Sequence, residues 1–400
     1  MVWSAGSAKK DRFYSESEVL SVSQTVLVTG GLGFIGLNLT RELVRFGDHV
    51  VILDNLSPQI HGVLPQLQDP ILESPQVKII RGDVTDVLAV GRSIVGVDAI
   101  VHLAAETGTA QSMYEVARYN RVNSQGTAIL LDCLVNISNQ VKRFILASSR
   151  SIYGEGAYQC ANCGVVHPAS RTLESLMARE WELHCPSCHG PISSIPTSED
   201  AKIQPASIYA ATKFAQEDLV RISCAALGIG ATVLRFQNVY GAGQSLNNPY
   251  TGILSIFSTR IRRGFPLPIF EDGRESRDFL HVSDVIHAIR LGLQLQTQEA
   301  EVLNVGSGMA SSVFEVAQLL HSLLGGDERS LPVTTGEFRV GDIRHCYADV
   351  SRLARVLAWT PQINLSTGLR EFSEWVLEQP LPEDQLDQAN AELRRRRMMA

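Results

Sequence analysis

Tyr209-Ala-Ala-Thr-Lys213 sets a phenol and an ammonium four residues apart, so on a helix both project from one face toward the same ligand. A cation beside a phenol lowers its pKa, which would let Tyr209 exchange a proton with a hydroxyl near neutral pH. Ser149, in the Ser148-Ser149 pair closing a hydrophobic run, could hydrogen-bond the same oxygen. By itself a Tyr-x-x-x-Lys pair is weak, because solvated helices carry such pairs by chance. What precedes it in the chain gives it weight.

Gly30, Gly33 and Gly36 follow a β-branched run and precede a helical pattern. Glycines at this spacing permit a tight turn and close backbone approach to a pyrophosphate, which then lies on the helix start at Phe34 and Ile35. Asp54 ends the next strand pattern, eighteen residues past Gly36, where a carboxylate accepts bonds from ribose hydroxyls and repels a 2′-phosphate. Asn55 after it is not basic, so NAD is favoured over NADP. The plainer alternative for Asp54 is a strand-end turn residue.

Cys160-x-x-Cys163 and Cys185-x-x-Cys188 have the two-knuckle spacing of a zinc ribbon, with twenty-one residues between the pairs. Four thiolates would close the coordination shell, so the zinc would be structural and supply folding energy to a segment too small for its own core. A redox or disulfide role is the alternative. The insertion, residues 155–199, leaves just after Ser149 and returns before Tyr209, which suggests a wall or lid over the ligand. Cys133, Cys224 and Cys346 stand alone and read as small packing residues.

These groups need a frame, and the alternation of short apolar runs with helical patterns from Thr25 supplies one. Runs at 25–29, 50–53, 77–80, 99–103, 144–147 and 232–234 predict an α/β, doubly wound parallel sheet covered on both faces. The expected organisation is a polar extension over 1–24, a dinucleotide domain over 25–236 interrupted by 155–199, and a substrate lobe mainly over 237–379. That lobe should contain a helix from Gly252 to Arg263 and short strands near 267–270 and 302–305. A charged tail over 380–400, ending in Arg394 to Arg397, is expected to be weakly ordered. The 400 residues are 44% hydrophobic with a net charge of -7, which fits a globular protein and argues against a phosphate-tracking nucleic-acid binder. No run approaches the ~20 apolar residues needed to span a bilayer, and a polar start without a signal core points to the cytoplasm.

Taken together, these motifs resemble the extended short-chain dehydrogenase/reductase superfamily, and within it the NAD-dependent nucleotide-sugar epimerases and dehydratases. The resemblance covers about Thr25 to Trp375. It also rests on Gly82-Asp83-Val84, His102-Leu103-Ala104-Ala105, Asn123 with Gly126-Thr127, Tyr153-Gly154, Leu234-Arg235-Phe236 and Asn238-Val239-Tyr240-Gly241. Arg277-Asp278-Phe279-Leu280-His281-Val282, Asn304 to Gly308 and Arg339-Val340-Gly341-Asp342 complete it. It implies a Rossmann domain in which Asp83 and Val84 flank the adenine and Leu103, Ala104 and Ala105 pass the nicotinamide ribose and pyrophosphate. Lys213 would hold that ribose, with Asn123, Phe236 and Val239 also at the cofactor. Ser149, Arg150, Asn238, Arg277 and Arg339 would take a nucleotide-diphosphate sugar, the arginines as forks on phosphate oxygens. The plainer alternative for Arg277 and Arg339 is a surface ion pair with Asp278 or Asp342.

In the family's 4,6-dehydratases an Asp-Glu pair follows the catalytic hydroxyl residue; here Arg150 and Ser151 follow Ser149, which removes the eliminating acid and base. The resemblance therefore implies an epimerase: Tyr209 takes the proton of the sugar 4-hydroxyl, NAD takes the C4 hydride, and the hydride returns to the other face of the rotated 4-keto sugar. The Ser148 to Gly156 segment, the cysteines and Asn248-Pro249-Tyr250-Thr251-Gly252 look most like dTDP-L-rhamnose 4-epimerases, with UDP-glucose or UDP-glucuronate types as the alternative. A non-catalytic NAD-binding sensor is a third reading, against which the intact Ser149, Tyr209 and Lys213 speak. Members of this family are commonly homodimers.

Overall fold

A computed structural model describes residues 23–62, 69–248, 250 and 252–400. Most of the N-terminal extension, and Pro249 and Thr251 of the Asn248 to Gly252 motif, lie outside them. Seven strands form one sheet: β1 (Thr25–Thr29), β2 (His49–Asp54), β3 (Val77–Arg81), β4 (Ala99–His102), β5 (Arg143–Ser149), β6 (Gly230–Phe236) and β7 (Glu301–Val305). Their order is β7-β6-β5-β4-β1-β2-β3, and every neighbouring pair is parallel. The inner strands are buried on both faces, which is why they read as unbroken apolar runs rather than alternating ones.

Each face of the sheet is covered by its own hydrophobic cluster. One joins Val26, Val28 and Ile52 to Leu39 and Leu43 of helix α1 (Phe34–Arg45); the other joins Leu27, Ile100 and Phe144 to Val220 and Cys224 of helix α2 (Ile208–Leu227). Register brings the carboxyl ends level: Thr29 pairs with both Leu53 and His102, and Ser149 with Phe236. Gly30, Asp54, Leu103, Ser149 and Phe236 therefore open onto one edge of the sheet, the crevice where open α/β sheets bind ligands.

Two expectations about the second lobe need correction. The run at 302–305 is β7 of the large sheet, paired with β6, and helix α3 (Val282–Gln294) packs its Val285, Ile286 and Ile289 against the α1 side of that sheet. The smaller lobe's own core comes from helices Ile253–Arg263, Val313–Leu323 and Leu365–Glu378 around Leu267, Ile269 and Phe279. Beyond Pro380, where the charged composition suggests weak order, the chain forms helix α4 (Leu386–Arg395) with Leu386, Ala389 and Leu393 buried. Three apolar side chains on one stripe suffice because they meet an existing wall. Among the described residues no helix is long and apolar enough to cross a membrane.

The insertion builds a three-stranded antiparallel sheet with Tyr158–Cys160 in the centre, flanked by Gly164–Val166 and Ile192–Ser194. Its core is Tyr158, Cys160, Val166, Leu183 and Cys185, with Ile192 packed alongside. So small a cluster, two of whose members are cysteines, cannot offset the ordering of some forty residues without a cross-link.

Candidate active site

The glycine turn is built for close approach. Gly30 has φ +69°, and a Cβ there would lie 2.9 Å from the Ala104 backbone nitrogen; one on Gly36 would lie 2.4 Å from the Gly30 oxygen. Helix α1 starts at Gly33 without a side-chain cap, so its first N–H groups face the cavity with the positive end of the helix dipole. Asp54 Oδ2 accepts from Leu32 N–H at 3.0 Å and Oδ1 from Leu56 N–H at 2.8 Å. A carboxylate has about four lone-pair sites, so Asp54 can brace the turn and still accept ribose hydroxyls. These residues fit a dinucleotide without rearrangement.

Ser149, Tyr209 and Lys213 meet across the crevice as the sequence suggests. Ser207 caps α2 by accepting from Ala210 N–H at 3.2 Å, and the Tyr209 N–H is tied to Ser112 Oγ at 3.0 Å. Lys213 Nζ donates to the Ala147 carbonyl at 2.8 Å. Burial pushes the Lys213 ammonium down to about 8, partly countered by Glu217, so it stays largely cationic at neutral pH. The expected lowering of the Tyr209 pKa is not found in the free chain: burial raises it, outweighing a hydrogen bond from Ser149 and the charge of Arg150.

One cavity of about 670 Å³ runs from Gly30, Gly33, Phe34, Ile35, Gly36, Asp54 and Asn55 past Ser149, Tyr209 and Lys213 to Arg150, Asn238, Arg277 and Arg339. Val84, Leu103, Ala104, Ala105, Phe236 and Val239 also line it. Two expected cofactor residues do not. Asp83 accepts from Asn55 at 2.8 Å and from Thr85, and Asn123 ties the Glu106 backbone to Thr212. Both shape the wall from behind.

The arginines line the cavity without a close counterion. Among the described residues none of Arg150, Arg277 and Arg339 has a carboxylate within ion-pair distance. Asp278, the alternative partner for Arg277, instead accepts from Ser307, Gly308 and Ala348. Arg277 donates to the Ser276 and Arg344 carbonyls, Arg150 Nε to Asn238 Oδ1 at 3.0 Å, and Arg339 stacks over Phe270 at 4.5 Å. Arg150 Nη1 and Arg339 Nε are buried without a hydrogen-bond partner. Burial lowers the pKa of Arg277 and Arg339, the cost of keeping charge out of water.

The insertion is not a lid: none of residues 155–199 lines the cavity. It braces the outside of the smaller lobe. Arg171 donates to Glu271 and to the Asp342 carbonyl, and Glu182 receives the fully buried Arg344, which also binds Glu271 and Asp272. The four cysteine sulfurs lie within 4.8 Å of one another, and Cys160 and Cys188 are 3.5 Å apart. Zinc–sulfur bonds of ~2.3 Å in a tetrahedron put sulfurs ~3.8 Å apart, so the set fits zinc. The Cys188 backbone N–H, and then that of Ser187, point at Cys185 and push its thiol down to about 6.

Sequence reasoning missed Glu217, one turn beyond Lys213. It binds Ser148 and holds Arg235 through a 2.7 Å ion pair, and Arg235 reaches Tyr153, so the strand end bearing Ser149 is fixed to α2. The signal was the i, i+4 spacing from Lys213 together with an arginine inside a buried strand. It also missed Glu275, which lines the cavity and is pushed up to about 7 by burial.

The profile of the NAD dependent epimerase/dehydratase family matches residues 26–172 and 182–306, and the chain belongs to that family. It is 37% identical over 357 residues to a dTDP-L-rhamnose 4-epimerase of Burkholderia thailandensis, covering 88% of this chain and 95% of that protein. Among solved structures, UDP-glucose 4-epimerase from Thermotoga maritima with UDP-glucose superimposes with a TM-score of 0.71 at 27% identity, over 88% of this chain and 99% of that one. MoeE5 in complex with UDP-glucuronic acid and NAD gives 0.69 at 31% identity, over 88% and 99%.

Proposed function

We propose that this chain is an NAD-dependent nucleotide-sugar 4-epimerase that interconverts dTDP-L-rhamnose and dTDP-6-deoxy-L-talose. The observation that carries the reading is a single cavity in which the Ser149–Tyr209–Lys213 constellation faces three half-buried arginines that have, among the described residues, no carboxylate within ion-pair distance. Bound NAD would supply a reversible hydride acceptor for sugar C4. Tyr209 would hold the proton of the 4-hydroxyl, Ser149 would orient that oxygen, and Arg150, Arg277 and Arg339 would keep the diphosphate fixed while the sugar turns. Ser149 is followed by Arg150 and Ser151, so the acid–base pair a dehydratase needs is missing at that strand end. The choice of dTDP-L-rhamnose is supported by the 37% identical relative. The four cysteines are proposed to hold one structural zinc. Val116 and Ile222, exposed on neighbouring helices, suit a homodimer contact, which sedimentation would test.

The deciding experiment incubates the zinc-replete protein separately with dTDP-L-rhamnose, UDP-glucose, UDP-glucuronate and GDP-mannose, without added NAD, and follows each sugar by NMR. Inversion at C4 of dTDP-L-rhamnose is expected, and Tyr209→Phe should lower kcat by roughly 10²–10⁴-fold while bound NAD stays. Stoichiometric reduction of free NAD would instead make the protein a dehydrogenase.

A further inference from the structure

The matched family profile ends at residue 306, yet the last seventeen residues reach the cavity. Leu386 lines it, and Asn390 Oδ1, buried, accepts from Arg339 Nη2 at 3.3 Å. The backbone on either side of Arg339 is paired with the chain end: Phe338 N–H donates to the Ala400 oxygen at 2.7 Å, Ala400 N–H returns to Phe338 at 3.1 Å, and Val340 N–H donates to Met398 at 3.0 Å. Arg394 pairs with Glu337. The segment is anchored at both ends, by Arg260 on Asp384 and Asp387 in the smaller lobe and by Arg396 over the Tyr114 ring of the dinucleotide domain.

We propose that residues 384–400 form a strap closing the small-lobe end of the substrate cavity, and that Asn390 is a positioning residue that holds Arg339 ready for the diphosphate of the nucleotide sugar. This rests on the reading of Arg339 as a diphosphate ligand. An arginine side chain has many rotamers, and ordering it before the ligand arrives removes that cost from binding. Stacking on Phe270 fixes the plane of the guanidinium, and Asn390 fixes its rotation within that plane. A neutral amide does this without cancelling the charge, which an aspartate at the same place would do.

The test compares intact protein, Asn390→Ala, Asn390→Asp and a chain ending at Gln379, each with its native NAD, by calorimetric titration of dTDP and of UDP and by KM and kcat. Asn390→Ala should weaken dTDP binding and raise KM by about 10–150-fold, the range of a hydrogen bond to a charged group, with kcat within about twofold. Asn390→Asp should weaken binding further despite equal size, because its carboxylate would pair with Arg339; a purely structural role would not produce that order. Bound NAD should be unchanged throughout. Wild-type dTDP affinity in Asn390→Ala and Asn390→Asp, or in a folded truncated chain, would overturn the strap alone. Failure of the intact protein to bind either nucleotide would overturn the reading of Arg339, and the strap with it.

Discussion

The four-cysteine insertion and the C-terminal segment are both additions to the same α/β core, and they invert what their sequences advertise. The insertion carries the clearest local motif of the chain after the glycine turn, yet it stays outside the cavity. The tail has no motif and lines it through Leu386. Metal-ligand spacing reports how a segment folds, because the ligands and the fold are the same residues. Where a segment docks depends on a distant surface, and nothing local encodes that. Both additions converge on one loop: Trp181 of the insertion packs its ring 6.3 Å from Phe338, whose backbone pairs with Ala400 of the tail.

The largest difference between them should appear on metal removal. Structural zinc sites contribute ~10–16 kcal/mol of apparent binding free energy at neutral pH, far more than the insertion's small apolar core. Replacing Cys163 and Cys188 with serine, or prolonged chelation, should melt the insertion, shift Trp181 fluorescence to the red and leave bound NAD in place. Metal analysis should find about one zinc per untreated chain. The tail holds no such ligands, so truncation there should change neither zinc content nor Trp181 emission.

Next in size is the brace between insertion and core. Arg344 has a fully buried side chain and binds Glu182, Glu271 and Asp272. Removing one member of a buried ionic group leaves the others uncompensated, so Arg344→Met should cost about 3–5 kcal/mol in urea unfolding. Its effect on dTDP affinity should be smaller than that of Asn390→Ala, since Arg344 does not reach the cavity. The reverse ranking would make the insertion, not the tail, the organiser of the diphosphate site.

Neither addition touches Tyr209, and the pH profile tests that separation. Burial raises the phenol's pKa in the free chain and nearby positive charge lowers it, so the proposed base would depend on that charge. Removing a cation disfavours phenolate and raises the pKa. Lys213→Met should therefore move the ascending limb of kcat/KM to higher pH by about 1–2 units, alongside a large loss of rate. Tail truncation and Cys163→Ser should leave the position of that limb unchanged.

How much of this was legible follows the same division between local and distant. Gly30 to Gly36, Tyr209 with Lys213, and the cysteine pairs could be read because their chemistry is set by spacing within one turn. Six of the seven strands could be read because burial on both faces leaves continuous apolar runs. The seventh, Glu301–Val305, was assigned to the wrong lobe because its partner β6 lies about seventy residues earlier, and a parallel pairing leaves no hairpin signal. Asn123 and Asp83 sit beside the cavity wall but spend their polar atoms on the chain itself, a difference only packing reveals. The tail did carry a trace: Leu386, Ala389 and Leu393 fall on one helical stripe among charged residues.

The smallest expected effect is the most discriminating for the convergence on Phe338. If insertion and tail hold the Arg339 loop independently, the losses of dTDP affinity from Trp181→Ala and Asn390→Ala should add. They share a loop only a few residues long, so the second loss should be reduced once the first has loosened it. A double-mutant cycle should therefore give a coupling of about 0.5–1.5 kcal/mol, the range for residues acting through a common neighbour. Additive losses would mean that Trp181 only packs the insertion against the lobe and that the tail alone governs Arg339. Coupling would mean that zinc, through Trp181 and Phe338, influences nucleotide affinity from outside the cavity. Titrating dTDP into zinc-depleted Asn390→Ala should then show less additional weakening than zinc depletion causes in the intact chain.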